Sequence, residues 1–469
     1  LRAGQEGRVD VHVPAGAPVS LRIVGEDGND HLPWQVDNWN PDRQIDGWMI
    51  GEATFGIPGN LPLGYHELIV TIGTHDAEGS AEDGGIHTTA TSTIIVTPNR
   101  VGLPRRMGAS RVWGYAAQLY SVRSHHSWGL GDLTDLADLC TWSASQGAGY
   151  LLTNPLHAAE VAGRMEPSPY LPSSRLFVNP IYIRPELIAE YHDLDQYDAS
   201  LIESLRTTTL DDDPQALVDR DRTWQAKSQA LELIHRVDMS ASRRMAFTAF
   251  RVARGRRLED FATWCLLSEL HGSDWHDWPA ELHDPHGAAV ARVRREHADR
   301  IDFHMWLQWI ADQQLSTAQS SGTDAGMPVG LICDLAIGVN GSGADAWMLN
   351  GLFAREMNVG APPDPFNQAG QDWGQPPMRP DVLDQMAYAP LREMVSSALR
   401  HAGGVRIDHI MGLFRLWWVP KGLGPRHGAY VRYNHEAMVG VVALEAYRAG
   451  ALVIGEDLGT VEPWVRDHL

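Results

Sequence analysis

Gly403 to Trp418 reads GGVRIDHIMGLFRLWW. Its first half, GGVRIDHI, has the apolar, β-branched make-up of a buried strand, yet it carries Arg406, Asp408 and His409. A second run repeats the pattern: in ALVIGEDLG, Ala451 to Ile454 read as a buried strand that ends on Glu456 and Asp457. Buried charges are costly unless they are paired or used. Two strands that each deliver a carboxylate at the C-terminal end point to an α/β barrel, where functional side chains cluster at that end. Working outward, RVWGYAAQLYSV, GYLLTNPLHA and VGLICDLAIGV complete a set of five such strands. Helical patterns separate them, including FHMWLQWIADQQLSTAQ, LREMVSSALRHA and HEAMVGVVALEAYRAG, and a helix is predicted from about Asp132 to Gln146. Strands apolar on both faces, alternating with helices, predict a parallel sheet covered by helices. The strand ends carry Gln118, Asn154, Asp334, Asp408 and Glu456. The expected fold class is therefore a (β/α)8 TIM-type barrel. A doubly wound sheet is second, since no glycine-rich phosphate loop follows the first strand.

Two other segments attach to this barrel. Residues 1–100 alternate short period-two runs with turn clusters, as in GRVDVHVPAG, PVSLRIVGEDGND, GYHELIVTIGTHD and TATSTIIVTPN, and predict an N-terminal all-β sandwich. Residues 101–184 open the barrel, 185–300 form a charge-rich helical insert, and 301–469 continue the barrel. After GEDLGTVEP a helix is expected, with Thr460 as cap and Pro463 in its first turn. Only five strands of eight are then accounted for, so the chain reads as a C-terminally truncated fragment of a longer protein.

Composition bounds the partners. The chain has 469 residues, 43% hydrophobic, with a formal net charge of −21. That balance argues against nucleic acid and anionic membrane, which need clustered basic residues. No run is long enough to span a bilayer, and no signal-peptide pattern follows Leu1. The three cysteines, Cys140, Cys265 and Cys333, are widely spaced, which suggests neither disulfide frame nor zinc site and fits a cytoplasmic setting. Seventeen tryptophans against nine phenylalanines is an unusual ratio; the flat indole with one donor suits sugar stacking, though core packing accounts for most of them. His125 and His126 lack further ligands at metal spacing, and HGSDWHDWPAELHDPHG reads as a packed loop.

The acids carry the chemistry. On a strand Arg406 and Asp408 share a face, so the guanidinium is expected to lower the Asp408 pKa and keep it ionised. Glu456 follows LVIG, where desolvation is expected to raise its pKa and retain a proton. A nucleophile and an acid on neighbouring strand ends, roughly 5 Å apart, are the parts of a retaining glycosidase. Singly, each has a structural alternative: an Arg406–Asp408 ion pair, and a Glu456 that satisfies backbone donors at a helix start.

Several blocks resemble the 4-α-glucanotransferases, or amylomaltases, of the α-amylase superfamily over roughly residues 105–469: RVWGYAAQLYSVRSHHSWGLGDLTDL, PSPYLPSSRLFVNPIYI, ICDLAIGVNGSGADAW, GAPPDPFNQAGQDWGQPPM, GVRIDHIMGLFRLWWVP and IGEDLG. The sandwich resembles the extra domain of longer bacterial members. The resemblance implies Asp408 as nucleophile, Glu456 as acid/base and Arg406 as the group that orients the nucleophile. It implies sugar contacts from Tyr170 and His409, a supporting acid in Asp334, and a lid loop with Asp364, Gln371 and Trp373. It implies maltooligosaccharide and α-1,4-glucan substrates, no cofactor and no metal. Ala336 stands where the commoner family form has proline. The family's third acid sits in a Thr-His-Asp block beyond the fifth strand, which this chain does not reach. The only such triplet, Thr74-His75-Asp76, falls in the sandwich and reads as a surface turn. The truncated chain alone is thus expected to be inactive, with an α-glucan hydrolase or a non-catalytic glucan-binding fragment as alternative readings.

Overall fold

The computed structural model describes all residues except 74–87, 109–110, 212, 214–215, 459–460 and 469, so Thr460 and the Thr74-His75-Asp76 triplet lie outside the described residues. The chain divides into two compact units.

The first unit comprises Leu1–Gly102 with Asp384–Arg392 and Asn434–Arg448. Its strands form two antiparallel four-stranded sheets. In one, Gly7–Pro14 and Trp34–Val36 flank the ten-residue strand Trp48–Ile57, which also pairs with Arg43–Ile45. In the other, Asp30–His31, Val19–Val24, Gly64–Ile72 and Thr88–Val96 run in that order. Alternate residues turn inward, so Leu21, Ile23, Phe55, Ile57, Leu68, Val70 and Val96 make one buried core. The helix His435–Ala449 contributes its residues up to Arg448 to this unit. Glu445 accepts a 2.8 Å bond from the Tyr65 hydroxyl, and Arg448 pairs with Glu26.

In the second unit the five expected strands are Gly114–Ala117, Tyr150–Thr153, Gly330–Leu335, Gly404–Ile407 and Leu452–Gly455. All neighbours are parallel, and their order in the sheet is their order in the chain. A doubly wound sheet reverses direction at a switch point; this one does not, which settles for the barrel arrangement. The first crossover helix, Leu133–Ser145, starts at a capping box. Asp132 accepts from the Thr134 and Asp135 N–H groups while Asp135 accepts from Asp132. Buried Arg184 pairs with both carboxylates, at 2.5 and 3.1 Å.

From Pro185 the chain runs through short 3-10 turns into helices Gln196–Thr209, Arg220–His235, Ala241–His271 and Ala288–Glu296. The third of these breaks at Gly255, whose φ of 59° lies in the left-handed region that glycine tolerates. The His- and Trp-rich loop is packed: Trp275 and Trp278 are buried, with indole N–H groups donating to the Gly341 and Gly272 carbonyls. All three cysteines are free and buried. The loop with Ala336 is pinned by buried Arg175, which donates to the Ala336 and Ile337 carbonyls at 3.2 and 2.7 Å.

Candidate active site

Strand register builds the site. Asp334 on the third strand lies level with Arg406 on the fourth, and Arg406 with Ile454 on the fifth. The ladder continues past the strand ends: the Asp408 N–H donates to Leu335 (3.1 Å) and the Glu456 N–H to Ile407 (3.0 Å). Asp408 and Glu456 therefore leave adjacent strands at the same level. Arg406 Nη1 donates to Asp334 Oδ1 at 2.6 Å and to Asp408 Oδ1 at 3.1 Å, so one nitrogen bridges two carboxylates. The Tyr170 hydroxyl donates to Asp334 Oδ2 at 2.8 Å. The Asp334 side chain is only 4% exposed and has both oxygens engaged.

The electrostatics differ from the sequence expectation. The Asp408 carboxyl is pushed above the ordinary carboxylate range, not below it. Burial is the largest cause and outweighs the pull of Arg406, while Asp334 and Glu456 add repulsion. Asp334 is shifted the same way, again chiefly by burial. Arg406 cannot hold Asp408 down because it is shared with a second acid.

His409 has a left-handed backbone, φ 51° and ψ 67°, uncommon for a residue with a Cβ. The turn aims its N–H at Glu456 Oε2 (2.8 Å), and Oε1 accepts from the Leu458 N–H (2.7 Å). Glu456 thus does satisfy backbone donors, the structural alternative, while also facing the cleft. Leu452–Gly455 is an edge strand of the parallel sheet, with Leu452 to Ile454 half-buried and Gly455 exposed.

The lid loop forms Met357–Ala361 and Gln371–Gln375, two strands of an antiparallel sheet completed by Arg415–Pro420 and Ala429–Arg432. GGVRIDHIMGLFRLWW therefore spans two sheets, joined by a 3-10 turn at Ile410–Leu413. Trp373 donates to Gln371 Oε1 at 2.8 Å and meets the His409 ring edge-on at 5.4 Å. Burial lowers the His409 pKa. Exposed Asp364 caps its own turn, accepting from the Phe366 and Asn367 N–H groups. These elements enclose a cleft of about 710 Å³. Tyr170, Asp364, Gln371, Trp373, Arg406 and Asp408 line it, as do His409 and Glu456. Asp334 is the exception, held behind the wall by Tyr170 and Arg406.

Among the cleft-wall residues that sequence reading missed are Gln375, Arg415, Trp417 and Tyr430. Gln375 donates to the Tyr170 carbonyl at 2.7 Å, which ties the lid hairpin to the tyrosine loop. Trp417 and Tyr430 pack edge to face at 4.9 Å, and Arg415 lies 4.1 Å over the Tyr430 ring. Period-two reading of Arg415 and Trp417 in FRLWW held that signal.

An Arg-bridged pair of aspartates and a glutamate on the next strand end, set at the C-terminal ends of parallel strands, mark a barrel protein with its functional groups on that face. The comparisons narrow this. Residues 117–469 match the 4-alpha-glucanotransferase family model, and residues 1–98 match the MalQ N-terminal beta sandwich domain. The chain belongs to the 4-alpha-glucanotransferase family, a TIM-type barrel with an N-terminal β-sandwich. It is 53% identical over 478 residues to the 4-alpha-glucanotransferase of Mycobacterium tuberculosis, covering all of this chain and 64% of the relative. It is 33% identical over 437 residues to that of Haemophilus influenzae, covering 87% and 58% of the two chains. The solved amylomaltase from Corynebacterium glutamicum superposes with a TM-score of 0.87 at 42% identity, over 99% of this chain and 62% of that one. The chain thus spans a little under two thirds of the relatives it matches most fully. Among the described residues, no helix is long and apolar enough to cross a membrane.

Proposed function

We propose that the protein to which this chain belongs is a 4-α-glucanotransferase acting on maltooligosaccharides and α-1,4-glucans in the cytoplasm. The observation that carries this is the Arg406 bridge between Asp334 and Asp408, with Glu456 leaving the neighbouring strand at the same level. Asp408 attacks the anomeric carbon, and Glu456 gives its proton to the departing 4-oxygen. The glycosyl group is then an ester on Asp408. Glu456 takes the proton of an incoming 4-hydroxyl, which displaces Asp408 and restores the α-linkage. Tyr170 fixes Asp334, Asp334 holds Arg406, and Arg406 bonds the nucleophile directly. Trp373, Gln371 and Asp364 cover the sugar, with His409 closing the wall. No cofactor takes part. Residues 1–100 are the sandwich, 185–300 a helical insert, and 101–184 with 301–469 the barrel.

A hydrolase would use the same acids; the aromatic wall of Trp373, Trp417 and Tyr430, suited to holding an acceptor sugar against water, favours transfer. The test is maltotriose disproportionation by the full-length protein. Asp408→Asn should abolish it with the fold intact. Glu456→Gln should block natural glucans yet spare substrates with activated leaving groups. Equal rates in wild type and Asp408→Asn would sink the assignment.

A further inference from the structure

On the sheet built around Trp48–Ile57, Phe55 and Ile57 turn into the core. Trp48, Ile50, Glu52, Thr54 and Gly56 therefore share the outer face. Trp34 pairs with Gly56, and a Cβ at that position would collide with its indole. Gly56 has no left-handed φ, so the glycine is there for space. The indole lies against the sheet, and Trp34 is still 43% exposed. Eight residues away on the same face stands Trp48, 71% exposed, about 26 Å off at the usual strand rise. It sits just past the Asp46-Gly47 turn, where φ is 48° and 86°.

Between the two tryptophans runs a polar row. Thr54 donates to Asp10 (2.6 Å), and Arg8 bonds both Asp10 and Thr54. Asn38 and Asn40 each donate to Glu52 Oε1, at 2.6 and 2.7 Å, and His12 meets Glu52 Oε2 at 3.0 Å. Trp39, between the two asparagines, is 91% exposed. The row is fixed by its own bonds, and its acids are answered by Arg8, His12 and the amides. A nucleic acid or anionic lipid would meet Asp10 and Glu52, and an apolar partner would bury them. An uncharged polyhydroxyl chain fits, with pyranose faces on the indoles and hydroxyls on the fixed donors and acceptors.

We infer that this outer face is a second binding site, distinct from the cleft, for a neutral α-glucan chain. The choice of α-glucan rests on the transferase reading above. Native gels containing soluble starch test it on the full-length protein. Trp34→Ala should weaken starch retardation about tenfold, as truncating an aromatic anchor does. Gly56→Ala, which lifts the indole, should do the same, and Trp34→Phe should keep most of it. Exposed Trp48→Ala guards against misfolding at Trp34, and it too should weaken retardation. Maltotriose turnover should be unchanged in all four. Undiminished retardation in the Trp34→Ala/Trp48→Ala double variant would overturn the site. So would equal retardation by dextran sulfate, or a loss of self-association in the variants, which would mark a contact between copies. Platform-dependent retardation without any turnover would refute the transferase reading and leave an α-glucan-binding face.

Discussion

Consider Tyr170→Phe. The ring stays and one hydroxyl goes, along with its 2.8 Å bond to Asp334 Oδ2. Asp334 is 4% exposed, so water cannot readily replace the donor. Leaving a buried charged acceptor short of one bond costs about 2–3 kcal/mol, roughly 30- to 140-fold in an equilibrium or rate. The loss should be visible in urea unfolding and in kcat for maltotriose, with KM less affected because the ring face is retained. It should also depend on pH. The Asp334 carboxyl is already raised by burial, and the Tyr170 bond opposes that shift. Without the bond it rises further, so the deficit is full where the carboxyl is ionised and shrinks as pH falls through the raised value. A deficit below about 0.5 kcal/mol, flat between pH 5 and pH 7, would mean that the hydroxyl does not hold Asp334 and that the network reasoning is wrong.

Asp408→Asn should inactivate the enzyme and raise its melting temperature. Its raised carboxyl gives stability below the ordinary carboxylate pKa that is lost as pH climbs through the raised one, and a thermal melt at pH 7 reads the recovery. Trp373→Ala should shift products from transfer towards free glucose; an unchanged ratio in the maltotriose ladder would count against its covering role. The buried thiols of Cys140 and Cys333 are pushed up to about 12, and Cys265 well up. All three should resist a thiol reagent such as dithiobisnitrobenzoate in native protein and react in denaturant.

The strands were legible because a continuous apolar run with a charge at its end stands out. That is why Gly404–Ile407 and Leu452–Gly455 could be read with their acids. Arg406 and Asp408 were legible because two residues on one strand share a face. Their pairing with Asp334 was not, since register between strands 72 residues apart leaves no local pattern. The wrong direction for Asp408 has burial as its main cause, which outweighs Arg406 and leaves no local mark in the sequence. The guanidinium was visible in sequence, but the second acid competing for it was not. His409 was read as a side chain, whereas its backbone N–H makes the decisive contact. Nothing in composition forecasts a left-handed φ at a histidine.

The shared nitrogen of Arg406 has a consequence for the time course of the proposed reaction. With both aspartates ionised, the trio of Asp334, Arg406 and Asp408 carries one net negative charge. When Asp408 becomes an ester, the remaining pair is neutral, and Arg406 belongs to Asp334 alone. The negative charge facing the sugar then passes from Asp408 to Glu456, which has given up its proton, while the intermediate waits for an acceptor. A hydroxyl approaching that ester meets Glu456 as the carboxylate that accepts its proton. Departure of the sugar returns the charge to Asp408, and Arg406 is already in reach to receive it.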